Sequence, residues 1–257
     1  MHLMLPESPK FLAIQGRVTE IRAMLAKLRP DRAHVYATAT VSVDNSQTAG
    51  NSILELLQPR YRRTTIAIWA TAFLSLFCIF GLSGWIPTVM IQRGETFAAS
   101  FGFGALMQIM SFIGGIFLGH LVDRFGHNRG LLSLWWGLGG CAVLTLVFLN
   151  DHVVNVTCVA AAGFFIIGAQ FVLNNFTAAA YETNVRATAV GMELGVGRVG
   201  AILGPFVAGA LQQNYQSSLP MFVSIGLAAL AAGGIILFAN RSSMEANTER
   251  LAAPKAA

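Results

Sequence analysis

Two charged side chains stand inside otherwise apolar runs of this sequence, Arg198 and Glu193. A charge at that depth costs several kcal/mol unless a partner or a wet cavity meets it, so each calls for a chemical reason. Arg198 stays charged at any physiological pH and grips a carboxylate through two parallel N–H···O bonds. It is therefore a candidate anion site, with an ion pair to another helix as the alternative. Glu193 precedes it by five residues, which places the two about 140° apart around a helix, so they do not pair. A buried carboxylate is a candidate proton-coupling group. It could equally reach up to the membrane surface or pair with a neighbouring helix.

Three uncharged groups belong beside these. Gln170 and Asn174 are four residues apart, on one helix face, as a polar cavity wall or as donors to another helix. Trp85 either lines the cavity or sits in an interfacial aromatic belt. His120, Asp123 and His127 share a spacing that would suit a metal, but Gly126 should end the helix before His127 aligns, and no metal site is expected. No catalytic triad, phosphate loop or metal-ligand cluster is visible, so neither an enzyme nor a cofactor is expected.

The elements that must carry these residues follow from composition. Of 257 residues 54% are hydrophobic and 11% charged, with a mean hydropathy of +0.60, against about 25% charged in soluble domains. About 20 apolar residues cross a bilayer. Six stretches qualify, near residues 64–91, 97–122, 130–149, 153–179, 188–211 and 219–240. Each must be a helix, because lipid offers no partner to an open backbone group. The expected fold is all-α, a six-helix membrane bundle at 64–240, preceded by a cytoplasmic segment at 1–63 and followed by a tail at 241–257. Arg198 lies about ten residues into its span, or ~15 Å deep.

The formal charge of +5 would raise nucleic acid in a soluble chain. Here every Lys and Arg except Arg93 and Arg198 falls before the first span, in the second and fourth connections (Arg124, Arg129, Arg186) or in the tail. That asymmetry sets topology and predicts both termini in the cytoplasm of an inner-membrane protein, with no nucleic-acid partner. Cys78, Cys141 and Cys158 lie in apolar segments and read as small buried residues. Phe11, Ile14, Val18, Ile21, Leu25 and Leu28 recur at helical spacing and predict an amphipathic helix over 9–28, lying on the membrane surface or on the bundle's inner face. Ser52 and Glu55 have capping-box spacing and predict a short helix before Pro59.

Three motifs carry a resemblance. Leu5-Pro6-Glu7-Ser8-Pro9-Lys10 resembles the PESPR segment after the sixth helix of the major facilitator superfamily. Gly119-His120-Leu121-Val122-Asp123-Arg124-Phe125-Gly126 resembles the superfamily's G-x-L-x-D-R-x-G loop in its second copy. Tyr181-Glu182-Thr183-Asn184-Val185-Arg186-Ala187-Thr188, with the run from Gly195 through Arg198 to Pro205, is similar to the tenth-to-eleventh-helix region of the aromatic acid:proton symporter family. Trp85-Ile86-Pro87-Thr88 resembles that family's seventh helix. The departures are Glu182 in place of Pro, His127 and Asn128 in a usually basic run, and Glu193 at a usually small or apolar position. The absence of a P-E-T-K-G tail argues against a sugar.

The resemblance implies the C-terminal half of a twelve-helix secondary transporter for small organic anions, such as aromatic acids, moved with protons. It implies a partner N-terminal six-helix half, with no transport by this chain alone. The alternatives are a half-size permease pairing with a second copy, and a sugar or metabolite porter of the same superfamily. It also implies a cytoplasmic gate of Gly119, Asp123, Arg124, Gly126 and Arg186, in which Asp123 and Arg124 latch the inner face.

Overall fold

A computed structural model of the protein describes residues 12, 17–28, 52–126 and 129–239; the chain divides into two units, 1–50 and 51–257. In the first unit, α1 is Val18–Leu28. Val18, Ile21 and Leu25 are less exposed than Thr19, Glu20, Ala23 and Lys27, the two-sided pattern expected of an amphipathic helix. Arg17 Nε donates to Glu20 Oε1 at 2.7 Å across its first turn. The expected start at Pro9 and the caps before it lie outside the described residues.

The second unit opens with the short α2, Ser52–Leu56. Six helices long and apolar enough to cross a membrane follow: α3 Arg62–Gln92, α4 Phe97–Phe125, α5 Arg129–Phe148, a span over His152–Ala180, α8 Thr183–Tyr215 and α9 Leu219–Ile236. The fourth span is α6, His152–Ala162, and α7, Gly168–Ala180, joined by a π-helical turn, Gly163–Ile167. The described residues hold no strand, in keeping with an all-α fold. Thr96 and Asp151 cap α4 and α6 by accepting from Ala99 N and Val153 N. Gly126, at φ +80°, ends α4, a left-handed backbone that suits a residue without Cβ.

Small residues set the helix order, because without a hydrophobic force between helices it is close backbone approach that holds them. α3 packs on α8 and α9, α5 packs on α9, and α4 packs on the π-turn and α7. At the last contact Gly114 and Gly163 lie against the Phe164 and Met107 backbones; a Cβ on Gly114 would fall 2.7 Å from the Phe164 carbonyl carbon. The extra residue of the π-turn re-phases α7 relative to α6.

Burial is uneven. The central windows of α3 and of the α6–α7 span are each 61% buried, but those of α4 and α8 only 28%. Phe101, Ile109, Phe112 and Ile116 of α4, with Val199, Ile202 and Phe206 of α8, stand uncovered within this chain. Of the cysteines expected to be buried, only Cys78 is; Cys141 is exposed and Cys158 intermediate.

Candidate functional site

The seam between α3 and α8 decides where the two intramembrane charges point. Gly197, Gly200 and Gly204 lie along α8 at three- and four-residue spacing and bear on α3. A Cβ on Gly200 would fall 2.9 Å from the Phe73 carbonyl carbon, and one on Gly204 3.0 Å from Gly81 N. With that face fixed, the opposite face of α8 turns outward. Arg198 is exposed on it, on the face that also carries Gly191 and Gly195, where an added Cβ would meet nothing within 4 Å. Among the described residues no hydrogen bond or ion pair holds the guanidinium.

Glu193 goes the other way. It is fully buried and, among the described residues, neither carboxylate oxygen has a hydrogen-bond partner. Within this chain it lies in the packed interior of the bundle, against side chains of α7. The glycine face drives this: Glu193 shares it and is drawn into the seam. Gln170 and Thr177 of α7 stand beside the carboxylate. The Thr177 hydroxyl is spent on Leu173 O at 3.0 Å. Gln170 donates to Asn174 Oδ1 at 3.2 Å, leaving its own Oε1 without a partner. Buried acceptors without donors are costly.

Gln170 and Asn174 thus bond to each other within one helix rather than across helices, and Gln170 belongs with Glu193. Trp85 packs against α8. Its Nε1 donates to Pro205 O at 3.0 Å and its ring lies on Gly209, where a Cβ would fall 2.7 Å from Cζ2. The indole is turned into the α3–α8 seam, because Gly209 leaves the space for it.

At the end of the bundle bearing Arg129, a cluster the sequence did not single out closes the seam. Tyr181 and Thr65 share a hydrogen bond at 2.8 Å, Thr65 Oγ1 reaches Leu56 O at 2.8 Å, and the Tyr61 and Tyr181 rings are 5.4 Å apart. Arg60 pairs with Glu182 at 2.6 Å. The one readable signal was Glu182 itself, an acid where the resembled motif has proline. Arg186 donates to Tyr181 O at 3.4 Å, bracing the same corner. Asp123, Arg124 and Gly126 are exposed and Gly119 half-buried; among the described residues Asp123 has no ion pair, and Arg124 stacks over Phe125 at 5.7 Å.

At the other end Arg93 ties α3 to the α5–α6 corner. It donates to Asn155 Oδ1 at 2.7 Å and to the carbonyls of Leu149 and Leu146, and covers Phe222 at 5.0 Å. Burial lowers its proton affinity below the usual guanidinium value, with Cys158 opposing the shift. Glu95 and His152 meet beside it at 2.9 Å.

The sequence pattern of the Major Facilitator Superfamily matches residues 21–205. The chain belongs to this superfamily. Its similar proteins are transporters, not enzymes. The gallate transporter of Pseudomonas putida is 36% identical over 98% of this chain and 56% of that protein. The benzoate transport protein of Acinetobacter baylyi is 32% identical over 80% of the chain and 44% of its own length. The 4-hydroxybenzoate transporter PcaK of the same organism is 29% identical over 95% and 54%. The chain spans about half the length of the curated relatives it matches. With superfamily membership, its six apolar helices make it a multi-pass membrane protein.

Proposed function

We propose that this chain forms one half of a proton-coupled symporter for aromatic acids, with Arg198 as the fixed cation that receives the substrate carboxylate. The observation that carries the reading is the outward-turned Arg198, without a partner among the described residues, on a face of α8 where Gly191 and Gly195 also meet open space. An uncompensated guanidinium at mid-membrane is stable only if an anion or water meets it. Similarity to carriers named for gallate, benzoate and 4-hydroxybenzoate supports a carboxylate on a ring.

Glu193 is the proton-coupling group in this reading, exchanging its proton as α7 and α8 change packing. The loop at Gly119–Gly126 and the corner braced by Arg186 form the inner gate. The 64–240 bundle acts with an N-terminal six-helix half, and both termini face the cytoplasm of the inner membrane. The sparsely buried faces of α4 and α8 suit that second half. Alternating access then rocks one half against the other around a shared site. Uptake of radiolabelled benzoate into proteoliposomes under an imposed inward proton gradient is the test. The chain joined to an N-terminal half should show saturable, gradient-driven uptake, and the chain alone none. Uptake by the chain alone would favour pairing with a second copy instead.

A further inference from the structure

Toward the Arg93 end, the α3–α8 seam opens into a cavity of about 690 Å³. Its walls are Trp85 and Gln92 from α3 and Pro205, Phe206, Gly209, Gln213 and neighbouring residues from α8. Two features set it apart from an ordinary surface cleft. One is a rigid aromatic wall: the Trp85 indole is held by its bond to Pro205 O and seated on Gly209, and Phe206 stands exposed beside it. The other is a set of amides without any charge. Gln92 and Gln213 are exposed and, among the described residues, make no side-chain hydrogen bond; Gln216 commits one N–H to Gln213 O at 3.3 Å.

We propose that this cavity is a second ligand subsite that binds the hydroxylated ring of a phenol and does so without a carboxylate. The reading rests on the aromatic-acid function proposed above but assigns a separate place and a separate chemistry. The indole offers a flat apolar face for offset stacking. Amides both donate and accept, so they match a phenolic O–H that does the same. They carry no charge to compensate a carboxylate, which Arg198 would meet elsewhere. Pro205 and Gly209 follow Arg198 by seven and eleven residues, about 10 and 16 Å along the axis of α8, so the two sites are separate.

The test uses two probes that divide the chemistry, binding to the chain joined to an N-terminal half, purified in lipid nanodiscs, by titration calorimetry. One is 1,2,3-trihydroxybenzene, neutral and hydroxylated; the other is benzoate, charged and without hydroxyls. Trihydroxybenzene should bind saturably. Gln213→Leu and Gln92→Leu, both at exposed positions that leave packing intact, should each weaken it three- to tenfold, the range expected for one hydrogen bond. Trp85→Leu should abolish it, and Arg198→Gln should leave it unchanged. No saturable binding by the parent, or undiminished binding in both glutamine variants, overturns the subsite. A loss in Arg198→Gln equal to that in Gln213→Leu overturns its independence from the cation. Benzoate binding that ignores Arg198 sinks the anion reading while leaving the trihydroxybenzene result standing.

Discussion

Replacing Gly200 with alanine tests whether the α3–α8 seam is what turns Arg198 outward. The added Cβ would fall 2.9 Å from the Phe73 carbonyl carbon and 3.2 Å from its Cα. The Phe73 carbonyl oxygen lies nearer still, and carbon atoms rest at about 3.5–4.0 Å, so the helices must separate by more than about 1 Å. Overpacking of this kind costs about 1–3 kcal/mol. Alanine also gains helix propensity over glycine, by up to about 1 kcal/mol, and that gain must be cancelled out. Gly191→Ala on the same helix provides the control, since its Cβ would meet nothing within 4 Å. The difference between the two variants therefore isolates the clash. At about 2–4 °C per kcal/mol for a chain of this size, Gly200→Ala should melt roughly 2–12 °C below Gly191→Ala. Thermal melts of the detergent-purified chains, followed by intrinsic fluorescence, measure it. Melting temperatures within about 1 °C of each other would refute the backbone-to-backbone packing.

Two further outcomes follow from particular contacts. A double-mutant cycle on Arg60→Ala and Glu182→Ala should give a coupling under about 1 kcal/mol that fades in high salt, because Arg60 is largely exposed; denaturant melts at two ionic strengths check it. Glu193→Gln keeps shape and removes the charge, so it should leave the melting temperature unchanged or raise it, while the transporter's uptake becomes insensitive to an imposed proton gradient. A strongly destabilised Glu193→Gln would mean that the carboxylate has a partner.

The number and type of elements were legible because lipid imposes a simple code of apolar runs closed by charges. The outward Arg198 and inward glycines of α8 were legible for the same reason, since helical phase fixes which residues share a face. What escaped was set by partners distant in sequence. The Trp85 ring turns inward because Gly209, on another helix, makes room for it. Nothing in the apolar pattern marks the π-turn at Gly163–Ile167, which sets how α7 is phased against α6. The Tyr181–Thr65 hydrogen bond joins residues 116 positions apart. Glu193 could be placed on the glycine face, but its lack of a partner is visible only once α3 and α7 are packed around it.

Equilibrium binding of radiolabelled benzoate to the purified transporter, parent against Arg198→Gln and Arg198→Lys, bears most directly on the central claim. Removing a charged, two-bond grip should cost about 1.5–3 kcal/mol, or roughly ten- to 150-fold in Kd. Arg198→Lys should fall between the two, keeping the charge but losing the fork. Both variants should elute and melt like the parent, since Arg198 is exposed and holds no neighbour. An Arg198→Gln protein that binds benzoate as tightly as the parent would contradict the anion site.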